Sequence, residues 1–278
     1  MPATFINGEP GEMIPVSDRG FHYGDGVFET IRVSGRQLTL RSLHMRRLAA
    51  GCKFLHIPLQ ADLLEQEFQQ ILKSNEPEGV LKIILTRGSG GRGYHPPEKT
   101  APLRVLQFFP LPEGMDVVRE HGARVKLCDH PLSTNQHLVP FKHMCRIDQV
   151  IASRELSEAF SEGIMRTENG QVIEGTRSNL FIATDTNLLT ASLEVAGVRG
   201  VMREYLLDRF TAQGTAVREQ KLDLSDLLSA SEVFLCNSVF GVWPVTEMVN
   251  GNKAKKFQIG HFAETAIGIA NAALTTQA

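Results

Sequence analysis

The chain is poor in the residues that staple a fold together. Its four cysteines, Cys52, Cys128, Cys145 and Cys236, lie far apart and form no C-x-x-C pair. A disulfide framework is therefore excluded for a chain of this size, and reduced thiols are expected. Nine histidines are scattered. H-E-x-x-H is absent, no Cys/His spacing suits a zinc set, and Cys128-Asp129-His130 is too compact to be a site alone, so no metal is expected. An excess of positive charge is missing too: 29 Lys and Arg stand against 31 Asp and Glu, for a net charge of −2. Without a basic stripe, nucleic acid is an unsuitable partner. No segment approaches the roughly 18 uncharged apolar residues of a membrane span. The start, MPATFINGEPGEM, has neither a basic region nor an apolar one, so no membrane and a cytoplasmic location are expected.

What is present is an ordinary globular composition, 42% hydrophobic and 22% charged over 278 residues. That length exceeds what one hydrophobic core fills comfortably, and two domains are expected. PLPEGMD, Pro110 to Asp116, concentrates proline, glycine and acid. It sets the division at a smaller α/β domain over 1–110, a linker over 111–120 and a larger domain over 121–278.

ATFING and EMIPVS read as short strands, and VFETIRVSGRQLTL as a hairpin turning at SGR. SLHMRRLAAGCKFL, with Ser42 as its N-cap, and ADLLEQEFQQILKSN read as helices. GVLKIILTRG and LRVLQFFPL are β-rich and flank a glycine-rich loop. In the second half ARVKLCD is a strand, and FKHMCRIDQVIASRELSEAF carries Met144, Ile147 and Ile151 on one helical face. GIMRTENGQVIEG is a hairpin with Asn169-Gly170 in a type I′ turn. SNLFIAT, NLLT, SEVFLCN and VWPVTEM are strands, while GVMREYLLDRF and FQIGHFAETAIGIANAAL are helices.

The glycine-rich loop, TRGSGGRGYHPP from Thr86 to Pro97, resembles a phosphate cradle at first sight. A P-loop, however, ends in G-K-[ST] and runs into a helix, whereas this stretch lacks the lysine and runs into two prolines. A protein that merely binds phosphate through GSGGRG is thereby disfavoured. Three other features can carry chemistry. Lys142, in VPFKHMCRID at the expected start of a helix, has apolar neighbours, and burial turns a lysine amine into a nucleophile. Glu174 lies on the second arm of the Asn169-Gly170 hairpin. Gly197-Val198-Arg199-Gly200 leads into a helix, whose free N–H groups favour an anion. A nucleophilic lysine, a carboxylate and a helix N-terminus are the parts that a pyridoxal phosphate site needs. Each taken singly also reads as a solvated charge or a tight corner.

SDRGFHYGDGVFETIRV, HMRRL, KHMCRIDQV, VIEGTRSNLF and AGVRGVMRE occur in that order over nearly the whole chain. Together they resemble the fold-type IV pyridoxal phosphate enzymes, the group of branched-chain and D-amino-acid aminotransferases and aminodeoxychorismate lyases. GVLKIILTRGSGGRGY, KHMCRIDQV and AGVRGVMR are more similar to the lyase branch, and an aminotransferase is the alternative. The resemblance implies a two-domain α/β (α+β) fold with the active site at the domain interface, pyridoxal 5′-phosphate as cofactor, a small-molecule substrate and a homodimer. It implies that Lys142, carried by the larger domain, forms the Schiff base and that Glu174 pairs with the pyridinium nitrogen. Arg47, the backbone N–H groups of Val198 and Arg199, and Ser238 would hold the phosphate. Arg92, Tyr94, Tyr23 and Phe28 would line the substrate pocket, with Arg92 gripping a carboxylate. Two positions depart from the lyase pattern: Cys145 replaces an asparagine, and Arg199 a smaller polar residue.

Overall fold

A computed structural model describes residues 3–184 and 187–275. The chain divides into two compact units. The first comprises Met1–Leu111, Phe141–Cys145 and Leu274–Ala278, and the second Pro112–Pro140 and Arg146–Ala273.

In the first unit the order is β1 (Ala3–Ile6), β2 (Glu9–Pro10), α1 (Arg19–Tyr23), β3 (Gly26–Ser34), β4 (Gln37–Leu38), α2 (Arg41–Phe54), α3 (Ala61–Lys73), β5 (Gly79–Thr86) and β6 (Leu103–Phe109). The strands form an antiparallel sheet in the order β2-β1-β6-β5-β3-β4. β3 alternates along most of its length: Val27, Glu29, Ile31 and Val33 are buried, and the residues between them are half-buried. That period of two sends one row into the core beneath α2 and α3. There Leu48, Leu64, Phe68 and Ile71 meet Ile31, Leu81, Ile83 and Leu106. The β3–β4 turn is a two-residue one in which Gly35 and Arg36 both have positive φ, 56° and 65°, as a type I′ turn demands.

The second unit contains α4 (Met115–His121), β7 (Ala123–Leu127), α5 (Ile147–Ser153), β8 (Glu162–Arg166), β9 (Val172–Gly175), β10 (Asn179–Ala183), β11 (Leu188–Ala191), α6 (Val201–Ala212), β12 (Val217–Gln220), α7 (Leu224–Ser229), β13 (Glu232–Asn237), β14 (Gly241–Asn250), β15 (Lys253–Lys256) and α8 (His261–Thr275). Its sheet runs β12-β11-β10-β13-β14-β7-β8-β9, and a further pairing of β9 with β10 closes six strands into a ring. That closing pair is Asn179↔Glu174.

Several expectations need correction. Residues 111–120 are not a free linker, because Met115–His121 is helical and Met115 is buried. Residues 12–17, read as the strand EMIPVS, are irregular. Ser42 does not cap α2, which starts after Leu40 without a side-chain cap. In the β8–β9 hairpin only Gly170 has positive φ (82°), so the turn is not type I′. The Gly170 N–H closes it on Thr167 O at 2.9 Å, with an irregular register beyond Met165.

The correction with most consequence concerns Lys142. It lies neither in a helix nor in the second unit. The Phe28 N–H donates to Lys142 O at 2.9 Å, and the Met144 N–H to Gly26 O at 3.0 Å. β4 reaches only Val33 and Ser34 of β3, so the other end of that edge is open, and unpaired edge groups recruit extended chain. Here the recruit is the segment around His143, which bridges Val27. Gly26 permits the approach, since a Cβ there would meet the Leu85 carbonyl and stand 2.7 Å from Met144 Sδ. Gly26→Ala should therefore cost about 1–3 kcal/mol, the usual penalty of overpacking, read as a lowered urea midpoint at unchanged m-value.

Candidate active site

The alternation of β3 puts a carboxylate, Glu29, into an otherwise apolar row. α2 brings its partners from one helical face, His44 and Arg47 being three residues apart. Arg47 Nε donates to Glu29 Oε1 at 2.7 Å and Nη2 to Oε2 at 2.6 Å, while His44 Nδ1 lies 2.7 Å from Oε2. Burial acts to raise the Glu29 pKa, but the Arg47 guanidinium and the His44 contact outweigh it and hold the carboxyl at about 2. Burial pushes the His44 pKa down; Glu29 opposes this, and the charges of Arg47 and Lys142 add to it. An ionised carboxylate only accepts, so Nδ1 carries the proton of this buried imidazole.

Lys142, half-buried, sets Nζ 4.5 Å from the centroid of the Phe28 ring, a cation–π contact. Phe28 and Lys142 thus come together, and Arg47 spends two of its nitrogens on Glu29. Cys145 Sγ is 3.7 Å from the Tyr23 carbonyl oxygen. The rings of Tyr23 and Tyr94 meet edge-on at 5.4 Å. Arg92 and Tyr94 are exposed, Tyr94 to 87%.

In the second unit Glu174 is buried. Its Oε2 accepts from the Val198 N–H at 2.8 Å and from Asn179 Nδ2 at 3.3 Å, and Asn179 Nδ2 also reaches Val198 O at 2.9 Å. Gly197, at φ 97°, turns the chain so that the next N–H points at the carboxylate. The Val198 N–H is thus engaged by Glu174. Arg199 is exposed just ahead of α6. Ser238 is half-buried in the turn after β13, where Asn237 Oδ1 accepts the N–H groups of Val239 and Phe240 at 2.9 Å each.

Sequence reasoning missed Glu29, His44 and Asn179. The first two carried a signal, since Glu29 shares the period of Val27, Ile31 and Val33, and His44 that of Leu48 and Cys52. Asn179 carried none, because its role follows from sheet closure.

The chain belongs to the amino-transferase class IV family, which it matches over residues 26–248. Within that class it is 35% identical to the aminodeoxychorismate lyase of Vibrio harveyi, over 92% of this chain and 95% of that one. The crystal structure of 4-amino-4-deoxychorismate lyase from Pseudomonas aeruginosa is 36% identical with a TM-score of 0.89, covering 95% of this chain and 96% of that one. The D-alanine aminotransferase of Bacillus licheniformis is 25% identical over 84% of this chain and 83% of its own.

The sign of the Glu29 shift sets a pH test. A depressed pKa contributes stability that is complete above the ordinary value of 4.5 and is lost as pH falls toward about 2. Denaturation midpoints of the wild type should fall across that window. Glu29→Gln, which takes the charge partner from the half-buried Arg47, should cost about 3 kcal/mol at neutral pH and flatten the acid profile.

Proposed function

We propose that this chain is a pyridoxal phosphate-dependent 4-amino-4-deoxychorismate lyase, which releases pyruvate and forms 4-aminobenzoate. The observation that carries the reading is its likeness, at 35% and 36% identity over more than nine-tenths of the chain, to two enzymes of that name. The likeness to the D-alanine aminotransferase is 25%.

The side chains suit the cofactor. A buried carboxylate oriented by two N–H donors is the acceptor that a protonated pyridine nitrogen requires, and this is the role of Glu174. Lys142 would hold the aldehyde carbon, and Arg47, Arg199 and Ser238 the phosphate. Val198 acts through Glu174. When bound, the cofactor supplies an electron sink conjugated to the substrate nitrogen.

The chain's own residues do the rest. The Lys142 amine takes the proton from the ring carbon that bears nitrogen. As that C–H bond breaks, the C–O bond to the enolpyruvyl group breaks with it, and the departing enolate takes up a proton to become pyruvate. The ring becomes aromatic, which drives the reaction, so the protein's main contribution is orientation. The substrate is a dianion. Arg92 grips a carboxylate through two parallel bonds, and Tyr94, Tyr23 and Phe28 line the same pocket. The product serves folate synthesis. The enzyme works in the cytoplasm as a homodimer. The exposed Met13, Val16 and Phe21 support association, and among the described residues no helix is long and apolar enough to cross a membrane.

An assay with 4-amino-4-deoxychorismate should yield 4-aminobenzoate and pyruvate in equal amounts. Amino transfer to 2-oxoglutarate without 4-aminobenzoate would instead establish an aminotransferase. Borohydride should fix the cofactor on Lys142, and Lys142→Ala should lose at least about a thousandfold in rate, as expected when a covalent anchor and a base vanish together.

A further inference from the structure

The buried charge in α1 has no part in the chemistry above. Arg19 is only 4% exposed. Its Nε donates to Asp25 Oδ2 at 2.9 Å, and the rest of its guanidinium turns to the glycine-rich loop. Nη1 donates to Gly93 O at 3.1 Å, with Gly90 O at 3.4 Å and His95 O at 3.5 Å around it. Nη2 donates to Tyr94 O at 3.0 Å. Four carbonyls from a short run of the loop thus converge on one cation. The cation is itself fixed, because Asp25 is held from the other side by Arg87 through bonds of 2.7 Å and 2.9 Å. Burial acts to raise the Asp25 pKa, but Arg87 and Arg19 keep it below its ordinary value. The guanidinium also lies over the Tyr23 ring, 4.9 Å from its centroid, and that ring touches Tyr94.

From this geometry we infer that Arg19 is a positioning residue. It gathers the loop backbone at Gly90 and Gly93–His95 and so sets where Arg92 and Tyr94 stand to receive the substrate. This rests on the lyase reading for the roles of Arg92 and Tyr94, but the clamp itself does not. A loop whose backbone polar groups face water is free to open locally, whereas four carbonyls on a buried charge tie this one to the sheet. Lysine cannot replace arginine here, because a single ammonium lacks the planar fork that reaches Asp25 and two separated carbonyls at once.

The test uses the cofactor-loaded enzyme and two variants. Arg19→Lys leaves a cation and leaves Asp25 paired with Arg87. Gly91→Ala perturbs the clamp from the loop side, since Gly91 has φ 76° and a Cβ there would lie 2.7 Å from His95 O and 3.2 Å from Arg19 Nη1. In both, trypsin should cut after the exposed Arg92 about tenfold faster or more than in the wild type, because cleavage follows the population of opened loop. In both, KM for 4-amino-4-deoxychorismate should rise about tenfold, the effect of weakening one charge-assisted contact, with kcat changed far less. Cleavage at the wild-type rate in both variants, or an equal fall in kcat with KM unchanged, would overturn the inference. A wild-type enzyme that makes no 4-aminobenzoate would overturn the functional reading instead, and the proteolysis arm then decides the clamp by itself.

Discussion

Two backbone hydrogen bonds, Phe28 N–H to Lys142 O and Met144 N–H to Gly26 O, determine where Lys142 stands. The segment that carries it has no regular secondary structure of its own, and fixing each such residue costs about 1–2 kcal/mol of backbone entropy. The edge of β3 offsets that cost. It leaves polar groups that must find partners, and Gly26 and Gly51 make room: a Cβ on Gly51 would press on Val27 and approach Phe141. Phe141 in turn stacks on Phe54 at 4.7 Å. The lysine is therefore held by main chain, glycines and rings, while its amine lies over the Phe28 face. That amine can change partners without loosening the segment.

The first unit also holds three carboxylates against guanidinium groups, Glu29 with Arg47, Asp25 with Arg19 and Arg87, and Glu67 with Arg104. Apolar replacements of the same size would stabilise a fold as well or better, because desolvating two charges consumes most of what their attraction returns. What such a pair supplies is direction. A bidentate fork fixes the plane of a guanidinium, which an aliphatic contact would leave free to turn. Two of the three carboxylates hold groups proposed to meet cofactor or substrate, Arg47 directly and the Arg92 loop through Arg19. The third, at Glu67, joins α3 to β6 and has only the sheet to organise.

Much of this was legible in the sequence. The alternation of VFETIRV and the helical stripe of ADLLEQEFQQILK gave β3 and α3 their places, and the punctuating glycines gave the turns. The failure at FKHMCRIDQVIASRELSEAF has a physical cause. Met144, Ile147 and Ile151 do keep helical spacing, but His143 is drawn into an antiparallel bridge with Val27, so the chain before Ile147 is extended and the helix begins only there. Tertiary hydrogen bonding overrode a local preference too weak to compete. The Glu174–Asn179–Val198 set was half legible. Glu174 and Val198 stood out by motif, but their union depends on the ring closure that pairs Asn179 with Glu174, and long-range pairing of that kind leaves no periodic trace.

The glycine-rich loop shows how a shared composition can support opposite electrostatics. Gly88, Gly90, Gly91 and Gly93 all have positive φ, from 62° to 121°, the freedom that lets phosphate loops turn their N–H groups inward on an anion. Here the inward groups are carbonyls, and what they surround is a guanidinium. A concave backbone lined with oxygen repels phosphate as surely as one lined with N–H attracts it. The two prolines that follow remove a helix dipole that could have reversed the balance. An anion that approaches this loop must be met by side chains on its outer surface. Arg87 is buried and committed to Asp25, whereas the guanidinium of Arg92 is exposed.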